Sequence, residues 1–206
     1  TLRSNSPSIF YTRRIGRSPR GSIKDSDTQF EDYPSQTNIL SALKLSGKTP
    51  KGFSFGIMDA ITAKEEAVYI DSTNVEKSQA IEPFSNSLVL RLKQDLRQGK
   101  MNFGGFLTHR NQHLSTNYLD SLFISNAYVM GTDFECALPK PSWILSGYMA
   151  KPYVSGKNSV ITNIQSSPAH YFQRPDDGIA IDSTKTDLTG TSSEISLTKI
   201  SGKNIK

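Results

Sequence analysis

Apolar and polar residues alternate with a period of two along most of this chain, and helical spacing is weak. Ile39, Ser41, Leu43 and Leu45 alternate with Leu40, Ala42, Lys44 and Ser46 before the turn Gly47-Lys48-Thr49-Pro50-Lys51-Gly52; Phe53, Phe55 and Ile57 then alternate with Ser54, Gly56 and Met58. That spacing predicts a hairpin over 39–61. A second hairpin is expected over 86–110, with Leu88, Leu90 and Leu92 on one face and Val89, Arg91, Lys93 and Asp95 on the other, turning at Arg97-Gln98-Gly99-Lys100. A third is expected over 121–150, turning at Leu138-Pro139-Lys140-Pro141, and a last strand over 186–199. The stretches 63–83, 111–120 and 153–185 are polar and read as long loops, while 1–38, rich in Ser, Pro and Arg, reads as an Arg-rich loop or lumen segment.

Short turns therefore alternate with long loops, and strand arms run about nine residues. A tilted membrane-spanning strand needs ~9–11 residues. Outer-membrane barrels combine short periplasmic turns, long external loops, a lipid-facing apolar face and a polar lumen. The expected fold is all-β: an antiparallel up-and-down transmembrane β-barrel. About seven or eight strands are visible, so the chain reads as a segment of a larger barrel. A soluble β-sandwich or barrel with one wet face is the alternative.

Composition narrows the classes. Hydrophobic residues make up 35% of the 206, a low share that suits a sheet with a polar face. No apolar run reaches the ~18 residues of a spanning helix. The start, Thr1-Leu2-Arg3-Ser4, reads as an internal or trimmed segment. Cys136 is the single cysteine, which excludes an internal disulfide and a Cys-based zinc cluster.

The net charge of +5 is concentrated in part at Arg13, Arg14, Arg17 and Arg20. No nucleic-acid-binding motif accompanies them, and no nucleic-acid partner is expected. In a barrel these arginines, extended by Arg91, Lys93 and Arg110 on one polar face, are candidates to line the lumen or contact anions. The competing reading pairs them with lumen carboxylates such as Asp133 and Glu135. Trp143, Tyr128 and Tyr171 fall near expected strand ends or in loops, where aromatic side chains form a membrane-interface girdle or stack on sugars.

No catalytic set is convincing. His109 and His113 have the spacing of a helical metal pair but sit on an expected strand end and loop. Ser167, His170 and Asp176 lack a nucleophile elbow. Glu65, Glu66, Asp71 and Glu82 carry no legible acid/base geometry. No catalytic residue, metal or cofactor is expected.

The strings Phe10-Tyr11-Thr12-Arg13-Arg14-Ile15-Gly16-Arg17, Leu43-Lys44-Leu45-Ser46-Gly47-Lys48-Thr49, Glu82-Pro83-Phe84-Ser85-Asn86 and Tyr171-Phe172-Gln173-Arg174-Pro175-Asp176 together resemble a family of Gram-negative envelope proteins. Its members carry a family-9 carbohydrate-binding-like domain followed by a large domain expected to be an outer-membrane β-barrel. The resemblance, over Phe10 to about Gly202, is to part of that barrel domain. It implies residence in the outer membrane of a Gram-negative bacterium. The implied partners are membrane lipid or lipopolysaccharide, together with glycans or other envelope proteins. The implied role is passage, docking or scaffolding; the alternative is a soluble all-β module that binds or hydrolyses glycans.

Overall fold

The computed structural model describes residues 14–25, 28–139, 143–168 and 180–200. Strands dominate it. Its larger sheet is a meander of β2 (Ile39–Lys48), β3 (Phe53–Thr62), β6 (Phe84–Leu96), β7 (Met101–His113), β8 (Asn126–Ala137) and β9 (Trp143–Ser155), each antiparallel to the next. Past β9 lie β10 (Asp187–Thr189) and β11 (Ser192–Lys199). These two form one interrupted strand. Asp187 opposes Ser155 and Ser192 opposes Ala150, so the register is continuous. The break falls opposite Pro152, which has no N–H to donate, although its carbonyl still accepts from Gly190 N–H at 3.2 Å.

Because directly paired residues share a face, the register assigns every position. One face carries Leu45, Ile57, Leu90, Leu107 and Met130 in one cross-strand row, with Phe55 and Leu92 in the next. Further along lie Phe103 and Phe134, then Leu145 with Leu197. The other face carries Lys44, Lys48, Arg91, Lys93, Asp95, Asp133, Glu135 and Glu194, set among Ser, Gly and Thr and apolar residues such as Met58, Val89, Phe106 and Val129.

The apolar face is not a core. Leu43 is 65% exposed, Met149 59% and Ile195 78%. Nothing among the described residues covers it. The sheet is also open: β2 and the β10–β11 strand each pair on one side only. A closed barrel wall is thus not present among the described residues.

Most of the buried side chains gather instead at one end of the sheet. Turns at the other end are short, as at Thr49–Gly52 and at Arg97–Gly99, where Arg97, Gln98 and Gly99 all have positive φ. The elaborate end corrects several sequence expectations. The stretch 63–83, expected as a loop, is the hairpin of β4 (Glu65–Asp71) and β5 (Glu76–Glu82), which with β1 (Thr28–Asp32) forms a second, three-stranded sheet. The hairpin hid because its inward row, Glu65, Ala67, Tyr69 and Asp71, is half carboxylate. β1 also places a strand inside the expected loop segment 1–38.

The expected loop 111–120 is the end of β7 and the start of helix α1 (Asn117–Leu122), so the third hairpin begins at Asn126 rather than 121. Thr116 Oγ1 caps α1 by accepting from Leu119 N–H at 3.2 Å. The expected loop 153–185 holds the end of β9 and helix α2 (Asn158–Ser166), whose Val160 and Ile161 are buried. Ile81, Leu119 and Phe123 are fully or almost fully buried at this end.

The turn between β4 and β5 hangs on Asp71. Its carboxylate takes Lys77 Nζ at 2.7 Å, Thr73 Oγ1 at 2.6 Å and the N–H groups of Thr73 and Val75. Lys77 above all, then Thr73 and the Val75 amide, hold the carboxyl far below the ordinary carboxylate range. A depressed native pKa gives stability that is present above the unfolded value near ~4 and lost as pH falls below it. Asp71→Asn is expected to lower the urea midpoint at pH 7 and to flatten its fall below about pH 4. Urea melts followed by fluorescence from pH 7 to pH 2 read both effects.

Candidate functional site: a buried arginine clamp on the polar face

The segment 14–25 lies along the capped end of the sheet. Gly21 donates its N–H to Ile81 O at 2.9 Å. The approach is so close that a Cβ at Gly21 would stand 2.5 Å from that oxygen, so only glycine fits. Ser22 N–H donates to Tyr118 Oη, which donates back to Ser22 O, both at 2.8 Å. Farther upstream, the backbone carbonyl of Arg17 accepts from both the N–H and the Oγ1 of Thr37, at 3.0 and 2.8 Å.

This path brings Arg20, together with Arg110 of β7, to one carboxylate. Glu82, at the end of β5, has a side chain only 3% exposed. It receives Arg20 N–H at 3.0 Å, Arg20 Nη2 at 2.9 Å and Arg20 Nε at 3.3 Å. Arg110 Nη2 approaches from β7 at 3.7 Å. Gln112 completes the clamp: its amide oxygen accepts from Arg20 Nη2 at 3.0 Å and its nitrogen donates to Ile124 O at 3.2 Å, the orientation its partners dictate. The Arg20 guanidinium also sits 4.1 Å over the Phe123 ring, a cation–π contact.

The cluster has more cation than anion. Arg14, Arg17 and Arg110 line one narrow pocket with Thr37, Thr62, Ser85 and Ser87, and Glu82 is its only acidic lining residue. The Nε atoms of Arg17 and Arg110 are buried with no hydrogen-bond partner among the described residues. Burial first, then Arg20 and Arg14, draw the Arg17 pKa below its ordinary range, with Glu82 pulling the other way.

The remaining polar-face cations are largely neutralised. Arg91 reaches across β7 to Asp133 on β8, with Nη2–Oδ2 at 2.7 Å. Gly104 makes this reach possible, since a Cβ there would sit 2.7 Å from the Arg91 guanidinium. Lys48 pairs with Asp95. The sheet part of this face carries Lys44, Lys48, Arg91, Lys93 and Arg110 against Asp95, Asp133, Glu135 and Glu194, five cations to four anions. Its charge is close to balanced. Among the described lining residues of the arginine pocket, cations outnumber the one carboxylate.

Of the expected anion contacts, Arg14, Arg17, Arg20 and Arg110 thus converge, whereas Arg91 and Lys93 lie farther along the face. Arg13 and Tyr171 fall outside the described residues, as do His170 and Asp176. Tyr128 lies on the apolar face, stacked on His109 at 4.2 Å between ring centroids and 6.0 Å from Tyr153. Trp143 lies on the same face at the opposite end, facing Lys199. Among the described residues no cluster of His, Cys, Asp and Glu has the makings of a metal site. Glu65, Glu66, Asp71 and Glu82 are held by Asn38, Lys64, Lys77 and Arg20, respectively. Glu82 and Gln112 were not legible as site residues, because nothing local distinguishes them from other polar strand ends.

These features define a class: an open antiparallel meander with an uncovered apolar face, whose polar face is clamped at one end by an N-terminal arginine segment. The chain belongs to the family described as Domain of unknown function (DUF5916), whose model matches residues 4–204. No curated protein and no solved structure matches it.

Proposed function

We propose that this chain is a wall segment of an outer-membrane β-barrel, non-catalytic, with a role in passage, docking or scaffolding at the envelope of a Gram-negative bacterium. The observation that carries the reading is the two-faced sheet. Its apolar face runs across the meander and is uncovered among the described residues, and large exposed apolar patches mark interaction or membrane surfaces. From Leu88 to Leu96 the belt spans nine residues of β6, eight steps or roughly 27 Å of strand at ~3.4 Å per residue. That matches the ~25 Å apolar band of outer-membrane barrels once tilt is allowed for. Tyr128 and Tyr153 stand toward one end of the belt and Trp143 at the other, the placement of interfacial girdles. Asp59, in the row of Leu88, Lys151, in the row of Leu90, and Gln94, between Phe53 and Phe103, interrupt the belt, and long side chains such as lysine can carry a charged head toward the interface.

Strand direction supports a segment rather than a whole wall. Alternating directions along the meander make β2 and β11 point the same way. Joining them directly would pair parallel strands, and bacterial barrels close with an even antiparallel set. An odd number of further strands completes such a wall, which also satisfies the two open edges. The capped end would narrow the lumen, and lipid or lipopolysaccharide would meet the apolar face.

The test expresses the segment within its natural flanking chain and follows it through membrane fractionation. The expected result is recovery with the outer membrane and a gel migration that differs between boiled and unboiled samples. A product that stays soluble without a shift would sink the membrane reading and favour a soluble carbohydrate-binding module.

A further inference from the structure

We propose that the pocket formed by Arg14, Arg17 and Arg110 with Thr62, Ser85 and Ser87 is a binding site for a phosphate group, presented as free phosphate or a soluble monoester. The inference stands on the polar face alone and does not require the sheet to be in a membrane.

Three observations carry it. The pocket brings together three guanidiniums from two distant parts of the chain, with one carboxylate, Glu82, already engaged by Arg20. The Nε–H groups of Arg17 and Arg110 are buried and lack acceptors among the described residues. A buried donor left unpaired is destabilising, and an anionic oxygen is the acceptor that guanidinium geometry matches best. The hydroxyls offer a neutral complement: Thr62 and Ser85 bond each other at 2.7 Å, and Arg110 Nη2 reaches Ser85 Oγ at 3.4 Å.

The pocket, about 10 Å³, admits a single water-sized group. One phosphate oxygen would enter it, with the remaining oxygens and any ester substituent outside. The pocket lies on the face opposite the apolar belt, since Thr62, Ser85, Ser87 and Arg110 share the register of Arg91 and Lys93. A bilayer lipid packed on the belt is therefore on the wrong side. Bound phosphate would bridge the 14–17 segment to β6 and β7, tightening the clamp that Arg20 and Glu82 begin.

Titration calorimetry of the purified protein in chloride-free buffer tests this, with inorganic phosphate as the probe. Saturable one-to-one binding is expected, with a rise in the thermal midpoint. Arg17→Gln is expected to weaken binding about tenfold, through loss of a charge-assisted donor. Arg17→Lys, which keeps charge but not the planar fork, should recover only part of it. Lys44→Gln, remote on the same face, should bind as wild type. Glycerol 3-phosphate should compete, and vesicles containing phosphatidic acid should not. Absence of saturable binding, an Arg17→Gln variant that binds as tightly as wild type, equal competition by chloride, or binding to the vesicles alone would each overturn the proposal.

Discussion

Glu82→Gln is expected to lower the unfolding free energy by about 3 kcal/mol, the scale of losing one partner from a buried ion pair. The Glu82 side chain is 3% exposed and Arg20 33%, so the low end of the 3–5 kcal/mol range applies, solvent screening part of the interaction. The substitution is isosteric and leaves an acceptor oxygen, so little packing changes. What it removes is the charge that offsets Arg20 and, at 3.7 Å, Arg110. Two partly desolvated guanidiniums then face each other, with Arg17 close by. Urea melts of Glu82→Gln, Arg20→Gln and the double variant read the coupling. A double variant less destabilised than the sum of the singles, by more than about 1 kcal/mol, is expected for groups in contact. A Glu82→Gln protein with the wild-type midpoint would show that the clamp contributes nothing to holding the segment 14–25.

The contrast between what the sequence shows and what it hides follows from the range of the interactions. The large meander was legible because its rule is local. Leu88, Leu90 and Leu92 fall on one side of β6 and Arg91 and Lys93 on the other whatever the rest of the chain does. The cap was not, because it breaks the same rule. β4 turns Glu65 and Asp71 inward beside Ala67 and Tyr69, and such a row reads as loop until its distant partners are known.

The clamp joins residues 62 apart in sequence. No spacing announces that Arg20 will meet Glu82 rather than Asp133 or Glu135, the carboxylates that alternation does place on the polar face. Asp133 is in fact occupied by Arg91 through the gap at Gly104. The helices had weak signals. Thr116 precedes Leu119 at capping distance, and Val160, Ile161 and Ile164 have helical spacing inside a segment whose polarity hid them.

Leu90→Arg and Val89→Arg separate the two faces with neighbouring positions on one strand. Leu90 lies between Ile57 and Leu107 on the apolar face, while Val89 lies between Met58 and Thr108 on the polar face. Strand propensity, register and chain position are nearly the same for both. Only the medium differs. An arginine on the lipid face at midplane depth costs about 2–4 kcal/mol, so Leu90→Arg is expected to deplete the outer-membrane fraction and the heat-shifted gel species. Val89→Arg adds a cation to a wet face that already holds Arg91 and Lys93, and both readouts should stay near wild type. A sheet whose two faces both met water would not order the pair this way. Leu90→Arg would then place one more charge on an exposed surface, where substitutions stay within ~0.5 kcal/mol. Equal behaviour of the two variants would therefore remove lipid as the medium of the apolar face, and with it the principal support for a membrane wall.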